Sequence, residues 1–89
     1  MTTIILNWTA EPLTMKFELD SERMNGDHGI DQGRAVSALS SIPNLVFSFK
    51  AGRYTVKDRA AVPAIVRALT DASFIVVNEG DIPAQITTH

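Results

Sequence analysis

The sequence predicts an α+β protein, a two-layer sandwich with the element order β-β-α-β-β-α-β. Three patterns carry that expectation. Leu13, Met15, Phe17 and Leu19 alternate with Thr14, Lys16 and Glu18, the period of a strand with one apolar and one solvated face. Leu45, Phe47 and Phe49 alternate with Val46, Ser48 and Lys50, and after Ala51-Gly52 the alternation resumes at Tyr54 and Val56. Glycine accepts the positive φ of a short hairpin turn, so residues 45–57 read as a hairpin. Val62, Ile65, Val66 and Leu69 fall at i, i+3, i+4 and i+7, the stripe of a core-facing helix.

The remaining elements follow in chain order. Thr3-Ile4-Ile5-Leu6-Asn7-Trp8 is a β-rich first strand, with Trp8 on the Ile4 and Leu6 face and therefore in the core. Pro12 marks the turn into the Leu13–Leu19 strand. That strand is expected to bury Met15 and Phe17 beneath the Val62–Leu69 helix, on a mainly antiparallel sheet covered on one side. Asp20 to Gly29, with Asn25-Gly26 and His28-Gly29, is a polar connector. A short helix begins near Asp31, its apolar stripe formed by Ala35, Val36, Leu39 and Ile42, and ends before Pro43. The second helix has Asp58 as its N-cap candidate and a loose first turn, because Pro63 lacks an N–H. Phe74–Asn78 is the last strand. From the second strand onward this is the split β-α-β-β-α-β arrangement of ferredoxin-like folds, with one extra N-terminal strand.

With 89 residues the chain supports one domain, expected over residues 1–78, with 79–89 as a frayed tail. It has no cysteine, so no disulfide, thiolate metal site or thiol nucleophile is available. Apolar runs are far too short for a membrane span, and no signal-peptide pattern opens the chain. A soluble, cytoplasmic protein with no membrane partner is the expectation.

The net charge of −2 argues against a dedicated nucleic-acid binder, but the charge is segregated. Residues 1–31 hold six acidic side chains against two basic ones, net −4; residues 32–70 hold six basic against one acidic, net +5; residues 71–89 hold three acidic and no basic, net −3. Lys50 and Arg53 flank the hairpin turn, and Lys57 and Arg59 sit where its second strand enters the helix. With Tyr54 beside Arg53 as a stacking ring and Arg67 further on, this set suits phosphate-backbone contact. The bland reading is a charged hairpin end that maintains solubility and discourages edge pairing.

Other chemistry finds little support. Glu22, Asp27, His28 and Asp31 include ligand types but lack histidine or calcium-loop spacing, so no metal and no cofactor is expected. Ser21, Ser40, Ser41 and His89 match no hydrolase motif, and Gly26-Asp27-His28-Gly29 is not a phosphate loop. No catalytic residue is expected, and the chain reads as non-enzymatic.

Leu39-Ser40-Ser41-Ile42-Pro43, Phe47 through Gly52-Arg53-Tyr54-Thr55-Val56, and Ala60-Ala61-Val62-Pro63-Ala64-Ile65-Val66-Arg67-Ala68-Leu69 together resemble the HARP-like domain. This small N-terminal accessory domain precedes the motor of annealing helicases and, in related form, of phage-type superfamily-two DNA helicases. The resemblance spans residues 35–77. It implies a non-enzymatic helicase accessory that recognises branched or junction DNA through Lys50, Arg53, Tyr54, Lys57, Arg59 and Arg67. The chain carries neither a GK[ST] loop nor a DExx box, so the resemblance implies either the N-terminal domain of a parent protein in which a motor follows or a free-standing relative without ATP chemistry. The alternative from a different class is a small phage-type protein-interaction module, a regulator or inhibitor, acting through the acidic stretch 18–31 or a sheet edge. A third is a ferredoxin-like domain that dimerises through its sheet and binds a small effector. Neither partner identity nor oligomeric state follows from the sequence.

Overall fold

The computed structural model describes residues 2–19, 28–84 and 86. Its elements are β1 (Thr2–Thr9), β2 (Thr14–Leu19), α1 (His28–Ser40), β3 (Leu45–Ser48), β4 (Arg53–Val56), α2 (Ala61–Asp71) and β5 (Phe74–Gly80). The five strands form one mixed sheet in the order β3-β4-β2-β1-β5. All neighbouring pairs are antiparallel except β1 and β5, which run parallel. The extra N-terminal strand therefore enters the sheet between β2 and β5. Two strands, β2 and β1, separate the ends of the β4-α2-β5 unit, where a single strand separates β2 from β3 in the first unit.

Strand alternation selects the core. Ile4, Leu6 and Trp8 of β1 share a face with Met15 of β2 and Phe74 of β5, and all five are buried. Ala35 and Leu39 of α1, Ile42 after it, and Val62, Ile65 and Leu69 of α2 close over that face. The indole of Trp8 is buried but not orphaned, since its Nε1–H donates to Asn78 Oδ1 at 2.9 Å. Arg34 ties the helical layer to the sheet: it pairs with Asp31 at 2.8 Å, donates to the Ala72 carbonyl at 2.6 Å and lies 4.7 Å over the Phe74 ring.

Several expectations are corrected in detail. The first helix, expected to begin near Asp31, begins at His28; Asp31 lies in its first turn, and its carboxylate is held by Arg34 and the Thr2 hydroxyl. Val36 is 43% exposed, because Ala35, Leu39 and Ile42 fill the seam and leave it on the far edge of the stripe. Asp58 accepts a bond from the Ala60 N–H at 3.0 Å but does not cap α2, whose N-cap Ala60 has no side-chain bond. Pro63 sits in that first turn, where its missing N–H costs nothing. The expected tail is ordered at its start: Glu79 and Gly80 complete β5, the Asp81 N–H donates to the Trp8 carbonyl at 3.0 Å, and Pro83 is buried. Phe17 is only half-buried: it stacks on Tyr54 and lines an open groove together with Gln32 of α1.

Candidate functional site: an aromatic groove at a break in the sheet

The hairpin holds the main departure from regular pairing. β4 pairs with β2 only at Thr14–Thr55 and Met15–Tyr54, although β2 continues to Leu19 and stays paired with β1 along its length. The cause lies in the turn. Phe49, Lys50, Ala51 and Gly52 form a four-residue loop closed by Gly52 N–H to the Ser48 carbonyl at 2.8 Å, with Gly52 at φ +68°. The register would set Gly52 across from Phe17 and Lys50 across from Leu19, but these residues belong to the turn and do not pair.

The splay opens a groove of about 440 Å³ lined by Lys16, Phe17, Glu18, Leu19, Gln32, Phe47, Gly52 and Tyr54. Its walls are aromatic. Phe17 stacks on Tyr54 with centroids 6.3 Å apart, Tyr54 meets Phe47 edge-on at 4.9 Å, and Phe47 meets Phe49 in the same way at 4.9 Å. Phe47 is 40% exposed and Phe49 is 92% exposed. Partial burial pushes the Tyr54 phenol above the ordinary tyrosine range. β3, the strand at this edge, carries neither charge nor proline, the usual means of blunting a sheet edge. A contiguous cluster of exposed rings on an unprotected edge differs from the scattered apolar residues of an ordinary surface.

The structure separates the six basic-set residues. Lys50 lies in the loop and is exposed. Lys57 and Arg59 follow the opposite end of β4, roughly 13 Å away along four strand residues. Arg67 is exposed on α2, in the other layer. Arg53 is half-buried on the open sheet face and spans β2: its Nε donates to Thr14 Oγ1 at 2.7 Å, and one terminal nitrogen donates to the Asn7 carbonyl at 2.8 Å and to Asn7 Oδ1 at 3.2 Å. Tyr54 turns the other way, into the groove. What the hairpin brings together is thus Tyr54 with Phe17, Phe47 and Phe49, while the cations are dispersed. Sequence reading placed Phe47 and Phe49 on one sheet face. It missed the exposure of Phe49, whose signal is the position directly before Lys50-Ala51-Gly52.

Of the weighed metal set, Glu22 and Asp27 lie outside the described residues, as does the His28 side chain; Asp31 is engaged with Arg34. Among the described residues no three His, Asp or Glu side chains gather as metal ligands. The Ser40 and Ser41 hydroxyls bond the carbonyls of Ser37 and Ala38. No helix among the described residues is long and apolar enough to cross a membrane. No family model, curated protein or solved structure matches the chain.

Proposed function

We propose that this chain is a protein-interaction module that receives an apolar segment of a partner in the groove between β2 and the β3–β4 hairpin. The observation that carries it is the aromatic cluster Phe17–Tyr54–Phe47–Phe49, left open to water beside a sheet edge that has no protective charge. Rings of this kind supply large contact area at low conformational cost and are enriched at interface centres. Selection from a random heptapeptide display library tests the reading. Enriched sequences are expected to share bulky apolar residues and to lose binding at least tenfold to Phe47→Ser or Phe49→Ser protein. Failure to enrich any sequence, or binding indifferent to both substitutions, would overturn it.

Nucleic-acid recognition by the hairpin, as a helicase accessory, is the second reading, favoured by Phe49 standing exposed next to Lys50. A ring beside a cation suits a base beside its phosphate. Among the described residues Lys16 lines the groove and Lys50 follows Phe49, while Arg53 is engaged by Thr14 and Asn7, so about two phosphate contacts are available beside the rings. The log K against log salt slope on single-stranded DNA is then expected at roughly −1.4. Fluorescence anisotropy with labelled oligothymidine and a forked duplex measures it; no binding at low salt removes this reading.

A further inference from the structure

The two free edges of the sheet carry opposite charge at their ends. β3 and β5 are the outer strands, and they run in opposite directions. Copies set edge to edge, with neither turned over, would pair β5 of one with β3 of the next as antiparallel neighbours. Residues 45–48 and 74–78 are uncharged, but their flanks are not. Lys50 follows β3. Lys57 and Arg59, with Asp58 between them, stand at its other end, where the Lys57 N–H donates to the Asn44 carbonyl at 2.8 Å. Asp71 precedes β5, and Glu79 and Asp81 stand at its end. All of these side chains are exposed, and among the described residues none is in an ion pair. The helical layer adds Arg34, paired with Asp31, and the exposed Arg67 of α2.

Hydrogen-bond phase selects a register. The Asp81 N–H donates to the Trp8 carbonyl at 3.0 Å, so odd-numbered residues of β5 bond β1. Phe74, Val76 and Asn78 therefore turn their N–H and C=O groups outward. On β3 the Asn44 bond sets Val46 and Ser48 toward β4 and leaves Leu45 and Phe47 facing outward. Pairing Val76 with Phe47 and Asn78 with Leu45 joins outward groups to outward groups. It also sets Val77, 39% exposed, against Val46, 47% exposed, on the open face. Phe49, 92% exposed, falls beside Phe74. At one end of this ladder Lys50 comes to Asp71. At the other, Lys57 and Glu79 share the open face two strands apart, roughly 10 Å between backbones.

We infer that a second copy of this chain adds its β3 to the free edge of β5, a head-to-tail contact between basic and acidic flanks. The charge segregation along the sequence, +5 over residues 32–70 and −3 over residues 71–89, then serves self-association. The contact is heterologous, so each assembly keeps a free β3 and a free β5 and grows past a dimer. Its five-residue ladder is about 17 Å long. That is the low end of interface sizes, so association is weak and needs high concentration. The contact uses the outer edge of the hairpin and does not depend on the reading of the groove at its inner side.

Sedimentation equilibrium of the full chain, up to millimolar concentration, tests it. The weight-average mass is expected to rise past that of two copies, and association to weaken at least threefold between ~0.05 M and ~0.5 M sodium chloride. Val46→Glu and Val77→Lys each give one edge the charge sign of the flanks it meets, and each should weaken association at least fivefold. Both positions are exposed, so thermal scans should show both variants folded. The double variant V46E/V77K restores opposite charges across the contact and should recover association to within threefold of the parent chain. A chain that stays monomeric throughout would overturn the inference. So would a mass that stops at two copies, or a double variant no better than the single ones, the results expected if like edges pair. Should either variant unfold, the mass of the parent chain and its salt dependence still decide.

Discussion

Phe49 rests edge-on against Phe47, ring centroids 4.9 Å apart and planes at 89°, with almost all of its surface in water. A ring so exposed adds little to folding, since it removes almost no apolar area from solvent. Phe49→Ser should leave the thermal midpoint nearly unchanged in a calorimetric scan, while Trp8→Ala at the buried face should cost about 3–5 kcal/mol. Equal destabilisation by the two would mean that Phe49 is a core residue.

Arg53 behaves differently from the lysine across the turn. Its three hydrogen bonds to Thr14 and Asn7 join β4 to β1 over the top of β2. Arg53→Ala should therefore cost about 1–3 kcal/mol in urea unfolding, and Lys50→Ala less than about 0.5 kcal/mol. Equal effects would show that the Arg53 bonds are not made in solution.

Gly80 stands at φ +80° with no room for a side chain: a Cβ there would meet the Trp8 carbonyl oxygen at 2.5 Å. Gly80→Ala combines left-handed backbone strain with displacement of β1 from β5 and should cost at least about 2 kcal/mol. Gly33→Ala, in α1 with open space around it, should instead gain up to about 1 kcal/mol. Denaturant midpoints of the pair check both signs.

Tyr54 is neutral in the folded groove at pH values where a free phenol already ionises, because burial disfavours the phenolate. The folded state then holds its proton more tightly than the unfolded chain. Stability should be unaffected below about pH 10 and should fall as pH rises from there through the folded-state value. Tyr54→Phe should remove that loss. Urea midpoints between pH 9 and pH 11 measure the difference, and identical slopes would place the phenol in water.

Much of the fold was legible because period and burial agree. Ile4, Leu6 and Trp8, Met15, and the Val62–Ile65–Leu69 stripe occupy the core their spacing assigns them. The place of β1 in the sheet was not legible, since alternation tells which face a residue takes but not which strand lies beside it. Phe17 misled for a related reason. Its alternation is that of a core residue, but helical cover depends on where α1 and α2 come to rest over a five-stranded sheet. The basic set was visible as charge along the chain. Its dispersal to opposite ends of β4, and the capture of Arg53 by Asn7, come from the hairpin's length and pairing register. The groove itself arises because β2 continues past the paired residues of the hairpin, which no local pattern encodes.

The central claim is that the opening between β2 and the hairpin is the binding surface. Its most direct test is a ¹⁵N–¹H chemical-shift titration with the tightest heptapeptide from the library selection. The account predicts perturbations concentrated at residues 16–19 and 47–54, saturating together and abolished by Phe47→Ser. Perturbations centred instead on Arg59 and Arg67, or on Ile75 and Val77 of the open sheet face, would contradict it.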